Sequence, residues 1–580
     1  MLIPAAIIAA LPLAGVGAQP LFETGQLGAG LQGDVEIPTL GTSDGNTIYC
    51  VYSANISSIW IQATEDAGKT WSEPVQVMGL PGPNYITDAN LLVDGDRITV
   101  FATHAMPREG QEGKIARSVF RVAVSEDRGQ TWTQQDPLPV ARRYVCGCVH
   151  SPVWLDGDTV VMGYSWDLHA EADRPVADEG AMTIRSGVLI SHDRGRTWTP
   201  GADAGPDIPT MGLDEPALVR LANGDLFAIL RTNQARPYET VSHDGGLTWD
   251  PVQPSRLRGF NSPAALCRLA DGDILRAWDN SSANRYPLVV ALSRDECETW
   301  SRARTVATPA TTPEGGLSFD TACYPTIAQA ADGTILLAWW QRARGRNSVH
   351  YARLSREWLD EVALTPQPPK VVAFGDSVTR GVRPGVTEAQ TFAALLQAGL
   401  QERGVEVEVV NAGLGSDTTA GGLARMDRDV LAEEPQAVVI MFGLNDACVV
   451  DGGPVAREEP RVSLTDYAAN LRTMVSRAQA AGAAVVLCTP NPMTRAYLYS
   501  DMSGYAENDD MNYLVREYAQ AVEELGQEVA VPVVDVFSLF EDRLGGLDLI
   551  QDGCHPYVEG HRLIAEALLP VVQAALDRGR

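Results

Sequence analysis

Positive charge is scarce in this chain of 580 residues: 45 lysines and arginines face 74 aspartates and glutamates, which gives a formal net charge of −29 at pH 7. Binding to a nucleic-acid backbone needs clustered cations, so the composition argues against nucleic acid as a partner. A strongly anionic polymer is also disfavoured as a substrate, unless local arginines reverse the field around the site. The overall charge therefore favours a neutral or weakly charged substrate.

Cysteine is also sparse, and its placement argues against a disulfide framework and against a metal site. The nine cysteines are scattered and odd in number, which is not the pattern of a small disulfide-stapled domain. The stretch "CGCVH", with Cys146, Cys148 and His150, has metal-ligating residue types but no second ligand pair. We predict a buried strand there, no metal and no cofactor.

Long apolar runs are missing after the first twenty residues, so no later segment is expected to span a membrane. The opening stretch, "MLIPAAIIAALPLAGVGAQP", has the length of a signal peptide and reaches the small residues Val16, Gly17 and Ala18, which form a cleavage pattern. It lacks a positively charged start, and a misplaced start or an N-terminal membrane anchor are the alternatives. We predict a signal peptide over 1–18 and export to the periplasm or the extracellular space.

A repeated turn motif is the most informative feature of the first half. The pattern Ser/Thr-x-Asp-x-Gly-x-Thr-Trp has a further copy in which Cys297 replaces the glycine. Its aspartate can accept backbone N–H bonds, its glycine can take a positive φ, and its tryptophan can cover the apolar side of a hairpin turn. The copies are "TEDAGKTW" (64–71), "SEDRGQTW" (125–132), "SHDRGRTW" (191–198), "SHDGGLTW" (242–249) and "SRDECETW" (293–300).

A second motif alternates with the first: an apolar strand, an Asp-Gly or Asn-Gly turn, and another apolar strand, as in "EPALVRLANGDLFAILRT". Its copies recur at intervals of roughly 45–65 residues, which suits blades of four strands each. Six such blades predict a β-propeller over 19–358, a ring that leaves no sheet edge exposed. The extended segment near "QPLFETG" is expected to complete the last blade.

The turns resemble the Asp-box repeats of the sialidase superfamily, whose fold is a six-bladed propeller, over about residues 25–355. The resemblance implies a central pocket that binds a sugar. In that pocket Glu215 and Arg231 match the family's glutamate and second arginine, and Arg285 is a candidate for a further central arginine. Tyr324, in "CYPTI", resembles the family's nucleophilic tyrosine.

The chain departs from the sialidase pattern at two positions. Glu36, in "VEIPTL", stands where the family needs an arginine. The loop "SANISSIW" has no carboxylate for the family's acid/base role. We therefore expect the pocket to bind a ligand but do not expect ordinary sialidase activity.

The composition changes after residue 358. The stretch "ALTPQPPK" predicts a stiff connector over 359–370. From 371 to 580 apolar strands alternate with amphipathic helices, which predicts βαβ units and a parallel sheet covered on both faces. The predicted fold is multidomain: an all-β six-bladed propeller followed by a flavodoxin-like α/β domain, in which ligands bind at the carboxyl ends of the strands.

Ser377 stands at the end of one apolar strand, in "VVAFGDSVTRG" (371–381). A serine hydroxyl is a poor nucleophile unless a base takes its proton, and that base needs an orienting carboxylate. His555 can be the base and Asp552, three residues earlier, the carboxylate. Candidate donors to the oxyanion are the Ser377 N–H, a backbone N–H in "NAGLGSDTT", and the side-chain amide of Asn445.

The blocks "GDSV", "NAGLGSDTT", "GLND" and "DGCHP" resemble, in order, the four blocks of the SGNH (GDSL-type) hydrolases, over about residues 370–577. By that resemblance Ser377 is the catalytic nucleophile, Asp552 and His555 are its partners, and Asn445 is an oxyanion donor.

Three further positions follow from this resemblance or from its context. The donor of the second block stays open between Gly413 and Ser416, because Ser416 stands where many members have glycine. Asp376 is expected to cap or brace the turn before the serine. His561 is expected to lie on the surface of the last helix.

The function that this resemblance implies is serine esterase activity, with removal of acetyl groups from an acylated carbohydrate as the primary hypothesis. The carbohydrate part follows by analogy from the attached propeller. One alternative is a bifunctional enzyme whose propeller is itself a glycosidase. Another is a non-catalytic protein in which both domains only bind glycans.

Overall fold

The computed structural model describes residues 20–80, 85–108, 111–168, 184–205, 212–233, 236–259, 261–281, 285–308, 321–343, 345–363, 368–450, 459–501, 505, 510–543, 549–550 and 552–578. The predicted signal peptide, 1–18, lies outside these residues. No helix within them is both long and apolar enough to cross a bilayer.

Six antiparallel sheets build the first part of the chain, and they confirm the predicted six-bladed propeller. Each sheet has four strands, except the third, in which two short strands, β10 and β11, both pair with β12. The strands are β1 Phe22–Leu27, β2 Val35–Gly41, β3 Ile48–Ala54, β4 Ser58–Thr64, β5 Val75–Gly79, β6 Tyr85–Asp94, β7 Arg97–Arg108, β8 Gln111–Ser125, β9 Thr133–Gln135, β10 Val145–Cys146, β11 Val153–Trp154, β12 Val160–Asp167, β13 Ile184–Ser191, β14 Thr199–Asp203, β15 Asp214–Arg220, β16 Leu226–Arg231, β17 Tyr238–Ser242, β18 Gln253–Pro254, β19 Ala265–Arg268, β20 Ile274–Asp279, β21 Leu288–Ser293, β22 Arg304–Ala307, β23 Thr321–Gln329, β24 Ile335–Ala343 and β25 Arg346–Leu354.

The last blade is completed by the first strand of the chain. β1 lies antiparallel to β25, with Phe22 opposite Leu354 and Leu27 opposite Val349. This pairing confirms the prediction made for "QPLFETG", and it covers the edge that β25 would otherwise present to solvent.

The repeated turns have the predicted hydrogen bonds. In the first copy Asp66 accepts hydrogen bonds from the N–H and the hydroxyl of Thr70, at 2.9 and 2.7 Å, and the Gly68 N–H donates to Thr64 Oγ1 at 2.9 Å. The same bonds recur in the other copies, including the one in which Cys297 adopts a φ of +72° in place of glycine. Each motif therefore joins the third strand of its blade to the fourth as a structural turn.

The connector predicted over 359–370 is partly helical. A helix, α1, spans Arg356–Ala363, and its side chains Trp358 and Leu359 are buried in an apolar cluster of the last two blades. The three prolines suggested an extended segment, but the apolar pair before them has a core to pack against, so the propeller continues to residue 363. Residues 364–367 lie outside the described part of the chain.

A parallel sheet forms the core of the C-terminal domain, as predicted. Its order is β27-β26-β28-β29-β30, and helices pack on both faces, where two separate apolar clusters form. The strands are β26 Lys370–Gly375, β27 Glu408–Gly413, β28 Ala437–Met441, β29 Ala484–Cys488 and β30 Val533–Val534. The helices are α2 Ser377–Arg380, α3 Phe392–Glu402, α4 Thr419–Asp429, α5 Leu464–Ala480, α6 Tyr513–Glu528, α7 Val536–Glu541 and α8 Val558–Arg578.

The propeller contacts the C-terminal domain through ion pairs. Arg236 of the propeller, which is 1% exposed, pairs with Glu433 and lies 3.5 Å from Asp429. Lys370 Nζ lies 2.7 Å from Glu433, and Arg258 of the propeller also faces it. Burial alone would raise the pKa of Glu433, but the charges of Arg258, Arg236 and Lys370 outweigh it and lower that pKa to about 2. The contact therefore depends on buried charges that neutralise one another.

This ion-pair network continues to the turn that carries Ser377. Asp429 also pairs with Arg425 at 3.0 Å. Arg425 in turn donates to the carbonyl oxygens of Gly375 and Ala412, both at 2.9 Å, at the ends of β26 and β27. A buried path of ion pairs and charged hydrogen bonds thus leads from Arg236 to the strand that ends at the serine.

Candidate active site

Ser377 is held at the carboxyl end of the central strand β26, as predicted. It is the first residue of the short helix α2, and the Asp376 carboxylate accepts a hydrogen bond from the Val378 N–H at 2.9 Å. Gly375 permits the sharp turn, because a Cβ at that position would overlap the side chain of Thr379 and the carbonyl oxygen of Met441. The serine therefore sits on a rigid support at the sheet edge.

His555 lies between Ser377 and Asp552, just before helix α8. Its Nε2 is 2.8 Å from Ser377 Oγ, and its Nδ1 is 2.9 Å from Asp552 Oδ2. The His555 backbone N–H also donates to Asp552 Oδ1 at 2.8 Å, which fixes the carboxylate relative to the ring. The structure thus brings together the three side chains that the sequence predicted from positions far apart in the chain.

Two further residues contact this group and were missed from the sequence. Arg383 Nη2 lies 2.6 Å from Asp552 Oδ2, the same oxygen that faces His555. Cys554 Sγ lies 3.1 Å from His555 Nδ1. Cys554 directly precedes His555 in the block "DGCHP", but that block does not indicate a contact of its thiol with the ring. Arg383 stands in no motif and reaches the carboxylate only through the folding of the loop after α2.

The candidate oxyanion donors occupy different places. Gly413 packs against the backbone of Thr379 and Arg380, and its N–H donates to Asn411 Oδ1 at 3.0 Å, so this donor is already engaged. Ser416, with a φ of +61°, lines the pocket together with Asn445 and Ser377. Between the two positions that the sequence left open, the structure places Ser416, and not Gly413, at the pocket.

Asp376 is buried beneath the pocket. Burial, and then the nearby carboxylates Asp446 and Asp417, raise the pKa of Asp376 from an ordinary 3.8 to about 7. Asp446 is buried as well, and burial raises its pKa to about 6 while it accepts a hydrogen bond from the Thr419 N–H at 2.9 Å, at the start of α4. Both carboxyl groups brace the turns around the pocket.

Asp376→Asn is expected to make folding stability less dependent on pH. Between about pH 4 and pH 7 the folded chain holds a proton on Asp376 that the unfolded chain has lost, so wild-type stability falls as pH rises through this window. Asparagine does not ionise, so the stability of the variant relative to wild type should rise by roughly 2–3 kcal/mol from pH 5 to pH 8. Urea unfolding at both values measures this difference. The exposed Asp427→Asn provides the control, and an equal pH response in both variants would refute the assignment.

His561 is not on the helix surface, contrary to the sequence prediction. It is fully buried, accepts a hydrogen bond from the Phe392 N–H at 3.3 Å, and stacks on the Phe392 ring. Burial, and then the charge of Arg383, lower the pKa of His561 to about 4. The prediction was wrong because the face of helix α8 that carries His561 packs against the start of α3. There the imidazole accepts a hydrogen bond from a backbone N–H that has no partner within α3.

The pocket in front of Ser377 has a volume of ≈ 350 Å³. Its lining contains both arginines and tyrosines. The described residues that line it are Ser377, Arg380, Gly381, Val382, Arg383, Gly415, Ser416, Leu444, Asn445, Cys448, Arg461, Met493, Tyr497, Tyr499, Tyr505, Cys554 and His555.

The propeller candidates also come together, around Glu215. Its carboxylate accepts hydrogen bonds from Tyr324 Oη and from Arg231 Nη1, both at 2.7 Å, and Arg231 Nη1 lies 3.0 Å from Tyr324 Oη. The guanidinium of Arg285 lies 5.9 Å from the centroid of the Tyr324 ring. Burial, and then the charge of Glu215, raise the pKa of Tyr324, which keeps its hydroxyl protonated.

A bulge in the first strand of several blades presents residues in a strained backbone conformation. Ile37, Asp88, Glu215 and Tyr324 all have positive φ, between 43 and 53°, beside register shifts in their strands. Such strain is concentrated at functional sites. Asp88 was not predicted from the sequence, although "TDAN" occupies the same position in its blade as "DEPA" does in the blade of Glu215. Burial, and then the charge of Glu215, raise the pKa of Asp88 to about 7.

Two other stretches that the sequence singled out make hydrogen bonds of their own. Glu36 faces Asn347 of the last blade, whose side chain lies 3.5 Å away. Cys148 accepts a hydrogen bond from Asn90 Nδ2 at 3.1 Å, and only the two residues Val145–Cys146 of the "CGCVH" stretch are in a strand. The expected buried strand is therefore shorter than predicted.

Two family profiles match the chain, one in each domain. The GDSL-like Lipase/Acylhydrolase family matches residues 373–563. A BNR repeat-like domain matches residues 108–337.

Individual proteins resemble one domain or the other. The Hadza microbial sialidase Hz136 is 18% identical, with a TM-score of 0.43 over 56% of this chain and 66% of that one. The lipase/acylhydrolase from Enterococcus faecalis is 26% identical, with a TM-score of 0.29 over 36% of this chain and 96% of that one. An acetylxylan esterase of Geobacillus stearothermophilus is 30% identical over 214 residues, 34% of this chain and 92% of its own length. With a relative of this identity covered almost from end to end, the chain belongs to the GDSL-like lipase/acylhydrolase family and is a hydrolase of ester bonds.

Proposed function

We propose that this chain removes acetyl groups from an acylated carbohydrate, with Ser377 as the nucleophile. The observation that carries the proposal is the place of the His555 ring, 2.8 Å from Ser377 Oγ and 2.9 Å from Asp552 Oδ2. The acetylxylan esterase relative is named for an acetylated sugar polymer, which supports the same class of substrate here.

The first half of the reaction forms an acyl-enzyme. Ser377 Oγ attacks the ester carbonyl carbon while its proton passes to His555 Nε2. The negative charge that develops on the carbonyl oxygen is stabilised by the backbone N–H groups of Ser377 and Ser416 and by the amide of Asn445. The bond between the carbonyl carbon and the sugar oxygen then breaks. His555 donates its proton to this oxygen, and the sugar leaves as the free alcohol.

The second half releases the acid. Water gives a proton to His555 Nε2 and attacks the acyl-enzyme carbonyl, and collapse of the tetrahedral intermediate returns the proton to Ser377 Oγ. Asp552 stabilises the imidazolium in both halves, and Arg383 holds this carboxylate in place at 2.6 Å. The products are the carboxylic acid and the deacylated sugar.

The propeller is proposed to bind the glycan that carries the ester. The Glu215, Arg231 and Tyr324 side chains offer hydrogen-bonding groups and charge in one place, and the strained backbone beneath them supports a binding role. A glycan bound there has its esters at a high local concentration near the second domain.

Acetate release from a panel of acetylated oligosaccharides tests the proposal, with new reducing ends measured in the same reactions. We expect the wild-type chain to release acetate from at least one glycan without making reducing ends, and His555→Ala to release none. Hydrolysis of p-nitrophenyl acetate but of no acetylated glycan would refute the carbohydrate assignment. Reducing ends that persist in His555→Ala would favour a glycosidase in the propeller instead.

A further inference from the structure

We infer that the sugar deacylated at Ser377 carries a negative charge close to the ester, such as the carboxylate of a uronic acid. The inference rests on the proposed function and narrows its substrate class. The composition of the pocket wall points to this chemistry.

The pocket reverses the charge balance of the chain. The whole sequence has 74 acidic and 45 basic residues. Among the described residues that line the pocket, by contrast, three are arginines, Arg380, Arg383 and Arg461, and none is an aspartate or a glutamate. A cationic wall in a strongly anionic protein is the local reversal that an anionic substrate requires.

Arg461 is held at the pocket by uncharged oxygen atoms. Its Nε and Nη2 donate to the carbonyl oxygen of Val450, at 3.1 and 2.7 Å, and its Nη1 lies 3.5 Å from Asn445 Oδ1. These oxygens carry no formal charge, so they orient the guanidinium without neutralising it. The cation is thereby fixed next to Asn445, the side chain proposed to face the ester oxygen.

The other two arginines differ in how they are compensated. Arg383 is neutralised by Asp552, at 2.6 Å, and belongs to the catalytic group. Arg380 follows Ser377 in helix α2 and approaches the loop of Gly415, and burial lowers the pKa of its guanidinium.

Tyrosines line the same pocket as these arginines. Tyr497 contacts Tyr499 and Tyr505 edge to face, with ring centroids 5.6 and 5.9 Å apart. Aromatic rings with a hydroxyl at one end suit the apolar face and the hydroxyl rim of a sugar ring. A volume of ≈ 350 Å³ leaves room for a sugar ring together with its acetyl group.

A matched pair of substrates tests the inference: a monoacetylated methyl glucuronoside and the methyl glucoside acetylated at the same hydroxyl, which differ only at C6. We expect kcat/KM to be at least about tenfold higher for the glucuronoside. Added NaCl should reduce this ratio, because salt screens the attraction between the carboxylate and the arginines. A 6-sulfated glucoside with the same acetyl group separates a preference for carboxylate from a preference for any anion.

The arginine itself is tested with Arg461→Gln, and the exposed Arg472→Gln, from helix α5, is the matched control. The ratio of the two kcat/KM values should fall toward one in Arg461→Gln and stay unchanged in Arg472→Gln. Because the ratio is taken within one protein, it does not depend on the folded fraction. A wild-type ratio of one or less would overturn the inference but leave sugar deacetylation intact. Failure to hydrolyse these two sugars and every glycan of the acetylated panel would overturn the proposed function.

Discussion

Ser377→Ala is expected to lower kcat for hydrolysis of p-nitrophenyl acetate by roughly 10⁴- to 10⁶-fold, while the chain stays folded. The reason is geometric: His555 Nε2 has Ser377 Oγ as its partner at 2.8 Å, and alanine leaves the base with no hydroxyl to activate. Folding is supported by the apolar strand and by the Asp376 cap, which the substitution does not touch. Initial rates and a thermal unfolding curve measure the two expectations.

The matched control is Ser538→Ala, an exposed serine of helix α7 in the same domain. It should keep wild-type kcat, and it should react with a fluorophosphonate probe that Ser377→Ala no longer takes up. Residual turnover of Ser377→Ala within tenfold of wild type would assign the nucleophile to another residue.

Arg236→Met is expected to destabilise the chain by about 3–5 kcal/mol, because it removes one partner from a buried ion pair. Glu433 and Asp429 would then keep their charges beside an apolar side chain at the contact between the domains. Urea unfolding at neutral pH measures the loss. Arg425 links Asp429 to the end of the strand before Ser377. The kcat of ester hydrolysis should therefore fall as well, even at urea concentrations too low to unfold the variant.

Arg302→Met gives the comparison for this prediction. Arg302 also crosses the domain contact, 3.5 Å from Glu406, but the Arg302 side chain is 35% exposed and that of Glu406 is 76% exposed. A loss of less than about 1 kcal/mol is therefore expected. Equal stability of Arg236→Met and Arg302→Met would show that the buried pair does not hold the domains together.

The residues that the sequence predicted best are those whose roles are set locally. The Asp66 turn and its copies close on themselves within eight residues, so their hydrogen bonds follow from the motif alone. Ser377 and Asn445 could be placed at one sheet edge because parallel strands present their carboxyl ends together. His555 was predicted from its spacing to Asp552 and from the resemblance of "DGCHP" to the fourth block.

The residues that the sequence missed depend on packing between distant segments. Arg383 reaches Asp552, and Arg236 reaches Glu433, only because loops without a motif fold against each other. His561 looked like a surface residue because helix periodicity does not say which neighbour covers a helix face. Asp88 belongs to a strand whose bulge turns it inward, and a one-residue bulge leaves no mark in an apolar pattern.

The pairing of β1 with β25 has a consequence for synthesis of the chain. Phe22 leaves the ribosome early, but its partner Leu354 follows only after every other blade has been made. During that interval the nascent β1 has no neighbour, and contacts between segments so far apart form slowly. Ring assembly, rather than the hairpins within each blade, should therefore set the pace at which the newly made polypeptide matures.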